Sequence, residues 1–152
     1  MRVLVVVALI VFAACSGGAA VGPPAAYTSH VCAASSTMGG ELNDAVTELS
    51  AVSQTGDVPG MLTAINRVQA ATDKLQTQIA GTPAWAPGDP LTTEIGLVAT
   101  TYGRAVKRVR DALATQDQAT LDLALADVAA GNAAIAAAVK DLTSAKSAGL
   151  SC

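Results

Sequence analysis

Tyr27, His30 and Trp85 are the residues best equipped to hold a small molecule, and they include the chain's single histidine and single tryptophan. Tyr27 and His30 stand three apart, which puts them on one face of a helix. A tyrosine and a histidine can ligate haem iron, and Trp85 would add a flat stacking surface. Packing accounts for the same residues without a ligand: Trp85 closes one end of a core while Tyr27 and His30 face water. A third reading sets the aromatic side chains at a lipid interface. Packing is the expectation, with the ligand site and the interface as alternatives. A basic cluster, Arg104, Lys107, Arg108 and Arg110, and an acidic stripe, Glu41, Asp44 and Glu48, are the other charged groupings. The basic cluster suits an anionic envelope lipid, a polymer or a partner protein. The expected role is again plainer, a solvated helix face on which Lys107 and Asp111 form an i,i+4 pair worth about 0.3–0.5 kcal/mol. No catalysis is expected. One histidine would have to serve every nucleophile, and no Gly-rich phosphate loop, His-Glu-x-x-His or Glu-x-x-His pattern occurs. Neither a cofactor nor a metal site is expected.

Helices must position these groups. Apolar residues recur in steps of three and four through four segments, and no segment alternates as a strand does. The first carries Val31, Met38, Ala45 and Val52 interleaved with Ser35, Leu42 and Leu49. The second carries Val58, Met61, Ile65, Val68, Thr72, Leu75 and Ile79. In the third, Leu91, Ile95, Val98, Tyr102, Ala105, Val109 and Leu113 follow the pattern with one slip. The fourth is the most regular: Leu121, Leu125, Val128, Asn132, Ile135, Val139 and Leu142. Asp57 with Pro59 starts the second helix, and Asp89 with Pro90 starts the third. The fourth opens at Thr115-Gln116-Asp117-Gln118, which has reciprocal capping spacing. The expected spans are 28–54, 57–80, 90–114 and 116–147, with Gly39-Gly40 either kinking the first or marking its true start. Asn132 falls on the core seam beside Gly131, where a polar residue fixes register. Alanine-rich seams let helices approach closely, so a filled core is expected.

Ahead of the helices stands a different kind of segment. Arg2 precedes an apolar run of twelve residues, Val3 to Ala14, followed by Cys15 and then Ser16-Gly17-Gly18. A spanning helix needs about 20 apolar residues, so this run is too short to cross a bilayer. It has the form of a secretory signal. Phe12-Ala13-Ala14-Cys15 resembles the lipobox of bacterial lipoproteins, departing from it in carrying Phe12 where leucine is usual. The resemblance implies cleavage before Cys15, diacylglycerol on its sulphur and an effectively permanent membrane anchor. The alternative is a secreted protein cut later, for example after Gly18-Ala19-Ala20. The resulting domain order is signal peptide 1–14, lipidated cysteine and flexible tether 15–27, and helical domain 28–152.

Removal of residues 1–14 leaves 138 residues, with 8 basic against 12 acidic groups. That balance argues against a nucleic-acid or polyanion partner. Cys32 and Cys152 are then the remaining cysteines, and beyond the membrane such a pair is expected to form a disulfide. In an up-down-up-down antiparallel four-helix bundle, the start of the first helix and the end of the fourth lie side by side. The cysteine positions therefore agree with the fold class drawn from the apolar spacing, all-α. Tyr27, His30, Trp85 and the disulfide should gather at one end. The functional expectation is a non-catalytic, lipid-anchored envelope protein on the extracytoplasmic face of the cell membrane, with a structural or protein-interaction role. Its partners would be the membrane through Cys15 and another envelope protein. The alternative is a carrier of a small ligand, haem or an apolar molecule, held in the bundle interior or at the Trp85 end.

Overall fold

The computed structural model describes residues 22–152, all of whose regular elements are helical. Pro24 caps α1 (Ala25–Thr37), which begins three residues before the expected start and so takes Tyr27 into the helix. A π-helical turn, Met38–Leu42, carries the chain through Gly39-Gly40 into α2 (Asn43–Thr55). The glycines therefore mark a widened turn inside one long rod; neither a break nor a start occurs there. Gly56 ends that rod in the left-handed conformation, φ 70°.

Side-chain caps set the starts of two further helices. Asp57 accepts from the Gly60 amide at 3.1 Å and opens α3 (Val58–Ile79). Asp117 accepts from the Ala119 amide at 2.9 Å and from the Thr120 hydroxyl at 2.6 Å, opening α5 (Gln118–Ser147). The expected cap at Thr115 does not form, because its hydroxyl bonds back to the Asp111 carbonyl as the last residue of α4 (Asp89–Thr115). At the start of α4, the Asp89 carboxylate turns outward to accept from the Trp85 amide at 3.0 Å, holding the preceding loop.

The four rods, α1–α2, α3, α4 and α5, pack against one another around a core that runs from Tyr27 and Trp85 through Val31, Leu75, Leu91, Ile95 and Val98 to Ile65 and Val106. The packing is uneven. α3 carries α1 and α2 on one side and α4 on the other, whereas α5 makes its backbone contacts with α4 alone. The buried face of α5 is Ala124, Asp127, Gly131, Ala134, Ala138 and Ala145. Small side chains there bring α5 tightly onto α4, and at Gly131 the Tyr102 ring occupies the space a side chain would need.

This rotates the expected seam. Val128, Ile135 and Leu142 stay half-buried at the edge of the core, whereas Leu125 is 60% and Val139 55% exposed. Asn132 is exposed too, and accepts a hydrogen bond from the Tyr102 hydroxyl at the edge of the α4–α5 contact. Two forces select the alternative rotation. Alanine and glycine allow the closest helix approach, and Asp127, one step off the leucine stripe, is held between Arg104 and Arg108 of α4.

Candidate functional site

The sequence singled out one end of the bundle, and the structure assembles it. Cys32 and Cys152 are joined by a disulfide, with Cα atoms 5.4 Å apart. Tyr27 and Trp85 meet edge to face with ring centroids 5.1 Å apart, and Tyr27 is fully buried. The Tyr27 hydroxyl donates to the Gly88 carbonyl at 2.7 Å and accepts from Thr92 at 3.3 Å. Gly88 is obligatory here, since a Cβ would lie 2.1 Å from that hydroxyl oxygen. Burial raises the Tyr27 pKa and the Asp89 charge adds to this, against the opposing hydrogen bond from Thr92. The phenol oxygen is thus buried and committed to Gly88 and Thr92. His30 is half-buried, its Nδ1 3.4 Å from the Thr82 hydroxyl on the loop after α3. These three residues share one end but converge on Gly88 and Thr82, with Leu150 closing over the same core. Cys15 lies outside the described residues.

The basic cluster divides. Arg108 bonds Asp127 at 2.6 Å and the Leu123 carbonyl at 3.3 Å, and Arg104 reaches Asp127 at 3.4 Å. Arg110 donates to Asn66 of α3 at 2.6 Å. The acidic stripe pairs with α3, Glu41 with Lys74 and Glu48 with Arg67. Arg104, Arg108, Arg110, Glu41 and Glu48 therefore tie neighbouring rods together, with Arg104 and Arg108 oriented toward α5.

The feature sequence reasoning missed lies at the opposite end. Because α5 stands clear of α2, an apolar cleft of about 570 Å³ opens between them, floored by α3 and α4. Val46 and Leu49 of α2, Ile65 and Val68 of α3, Val106 and Val109 of α4, and Leu121 and Leu125 of α5 are among its walls. Its polar groups are Ser50 and Ser53, both exposed at the α2 lip, and the Tyr102 hydroxyl, which is engaged with Asn132. Burial raises the Tyr102 pKa. A volume of this size falls within the ~300–1,000 Å³ of small-molecule sites. The sequence did carry a signal: α5 offers two candidate inward stripes, one of leucine and valine and one of alanine and glycine. Only one of them can face α4.

No protein-family model, curated protein or solved structure matches this chain. Fold and site together define an all-helical protein with an open, uncharged apolar cleft.

Proposed function

We propose that this chain is a lipid-anchored extracytoplasmic carrier that holds an apolar ligand in the cleft between α2 and α5. The observation that carries the reading is the cleft itself. A purely structural or partner-docking bundle calls for the filled core expected from the alanine seams, whereas here leucine, isoleucine and valine from all four rods line unfilled space. At about 25 cal/mol per Å² of apolar surface removed from water, a hydrocarbon occupant gains substantial free energy without any polar recognition.

The arrangement proposed is up-down-up-down. It is supported by pairings whose numbers run in opposite directions on adjacent rods: His30 with Thr82, Glu41 with Lys74 and Glu48 with Arg67. On the other side, Tyr102 pairs with Asn132 and Arg108 with Asp127. Anchoring belongs to Cys15, following the lipobox resemblance, and places the disulfide in a compartment where it persists. The tether joins the disulfide end, so the cleft is presented at the end away from the anchor. By length and composition α5 is apolar enough to cross a bilayer; in this reading that apolarity serves the cleft.

Native mass spectrometry of protein purified from its own host tests the carrier role, together with uptake of an apolar fluorophore by delipidated protein. Co-purified lipid-like mass and saturable fluorescence are expected. Val109→Trp, which fills the cleft from α4, should abolish both while leaving the helical circular dichroism unchanged. Absence of ligand and of fluorophore uptake in the wild type would overturn the carrier reading. Fatty-acid labelling tests the anchor separately, and an unlabelled secreted protein would remove it.

A further inference from the structure

We infer that the cleft takes the unbranched hydrocarbon tail of an amphiphile, inserted end-on, and that Tyr102 is the floor at which the tail stops. The inference rests on the carrier reading and deepens it.

The lining decides the ligand's chemistry. It includes no charged side chain, and the Tyr102 hydroxyl is already bonded to Asn132. Nothing inside answers a carboxylate, a phosphate or a sugar, and burying such a group without a partner is strongly unfavourable. The polar end of the ligand therefore stays in water, beside the exposed Ser50 and Ser53.

Shape narrows the class further. Along α4 the lining extends from Tyr102 to Leu113, about 16 Å at 1.5 Å per residue. The cleft is thus elongated along the helix axes, the form that an extended hydrocarbon chain fills.

The inner end is closed by Val46, Val68, Val128 and Tyr102, one from each rod. Beyond them Leu42, Val98 and Ala134 are packed core. Tyr102 is the largest of the four and is fixed twice. Its ring sits over Gly131, whose added Cβ would be 2.6 Å from Cε2, and its hydroxyl is tied to Asn132. Ala105, one turn nearer the mouth on the same face, also lines the cleft.

Displacement of the bound fluorophore by a homologous series of straight-chain fatty acids measures the floor. Wild-type affinity should rise about four-fold per added methylene, the factor equivalent to about 0.8 kcal/mol per buried CH₂, and then level off where the chain meets Tyr102. Tyr102→Ala should move the levelling point to longer chains, so that a tail two methylenes past the wild-type limit binds about 15-fold tighter than it does to wild type. Tyr102→Phe should leave the limit in place, and Ala105→Leu should shorten it. If Tyr102→Ala does not fold, Ala105→Leu decides alone. An unmoved limit in folded variants overturns the floor while leaving the carrier reading standing. Fluorophore uptake with no displacement by any fatty acid overturns the hydrocarbon-tail class. Failure of the wild type to take up the fluorophore removes the carrier reading itself.

Discussion

Two glycine-to-alanine substitutions in neighbouring helices should change stability in opposite directions. Within a helix, replacing glycine by alanine gains about 1 kcal/mol in propensity. At Gly103 of α4 an added Cβ meets nothing within 4 Å, so the gain should appear in full. At Gly131 of α5 the same Cβ would lie 2.6 and 2.7 Å from two carbons of the Tyr102 ring and 3.0 Å from the Thr101 hydroxyl. Tyr102 is 2% exposed and hydrogen-bonded to Asn132, so the ring has little freedom to yield. Overpacking of this kind costs about 1–3 kcal/mol, which outweighs the propensity gain and leaves Gly131→Ala about 1 kcal/mol less stable than wild type. The two variants should thus differ by about 2 kcal/mol, or roughly 6–8 °C in melting temperature for a chain of this size. Thermal and urea denaturation followed by circular dichroism measure the difference. Adding Tyr102→Leu to Gly131→Ala should recover stability through a coupling of about 1 kcal/mol. Equal stabilisation by both alanines would refute the close ring-on-glycine contact, and with it the account of how the cleft is floored.

Three further outcomes are expected. Replacing Cys32 and Cys152 by serine opens a loop of sequence separation 120, which should cost about 5 kcal/mol in the chain-entropy treatment; an unchanged urea midpoint would contradict that. The raised Tyr27 pKa means its contribution is complete below the unfolded tyrosine value of about 10 and is lost as pH rises through the higher folded value. Tyr27→Phe should therefore flatten part of the alkaline stability loss, measured as urea midpoint against pH, although it removes the bond to Gly88. The Asp117 pKa is lowered, first by the Thr120 hydroxyl and then by the Ala119 amide. Its contribution is present above the unfolded carboxylate value and fades as pH falls through the folded one. Amide-exchange protection factors, which are corrected for the intrinsic pH dependence, should fall in the first turn of α5 over that acid range in wild type and change less in Asp117→Asn.

Helix number and the loops were legible because each depends on local chemistry, and the Cys32–Cys152 pair because, with Cys15 set aside, two cysteines allow a single pairing. Proline and aspartate at the starts, glycine at the breaks and three-four spacing act within a few residues of themselves. The rotation of α5 was not legible. Its leucine stripe is the more apolar, and on transfer free energy alone it should face inward. What decides is close approach: Gly131 accepts the Tyr102 ring, and Asp127 lies between Arg104 and Arg108, contacts made with residues some twenty to thirty positions away. Neither is visible in periodicity. The cleft follows from that rotation, so it too was hidden, while Tyr27, His30 and Trp85 drew attention because they are rare types. The Tyr27 hydroxyl proved to be committed to the Gly88 carbonyl, a contact set by the turn before α4.

The disulfide has one consequence beyond the loop it closes. It turns the chain from Cys32 to Cys152 into a covalent ring. A protease that severs any single peptide bond inside that ring, at the turns around Gly56 or Gln116 for example, leaves one molecule with all four rods still attached. A nick there would be survivable, and two cuts would be needed to release a fragment.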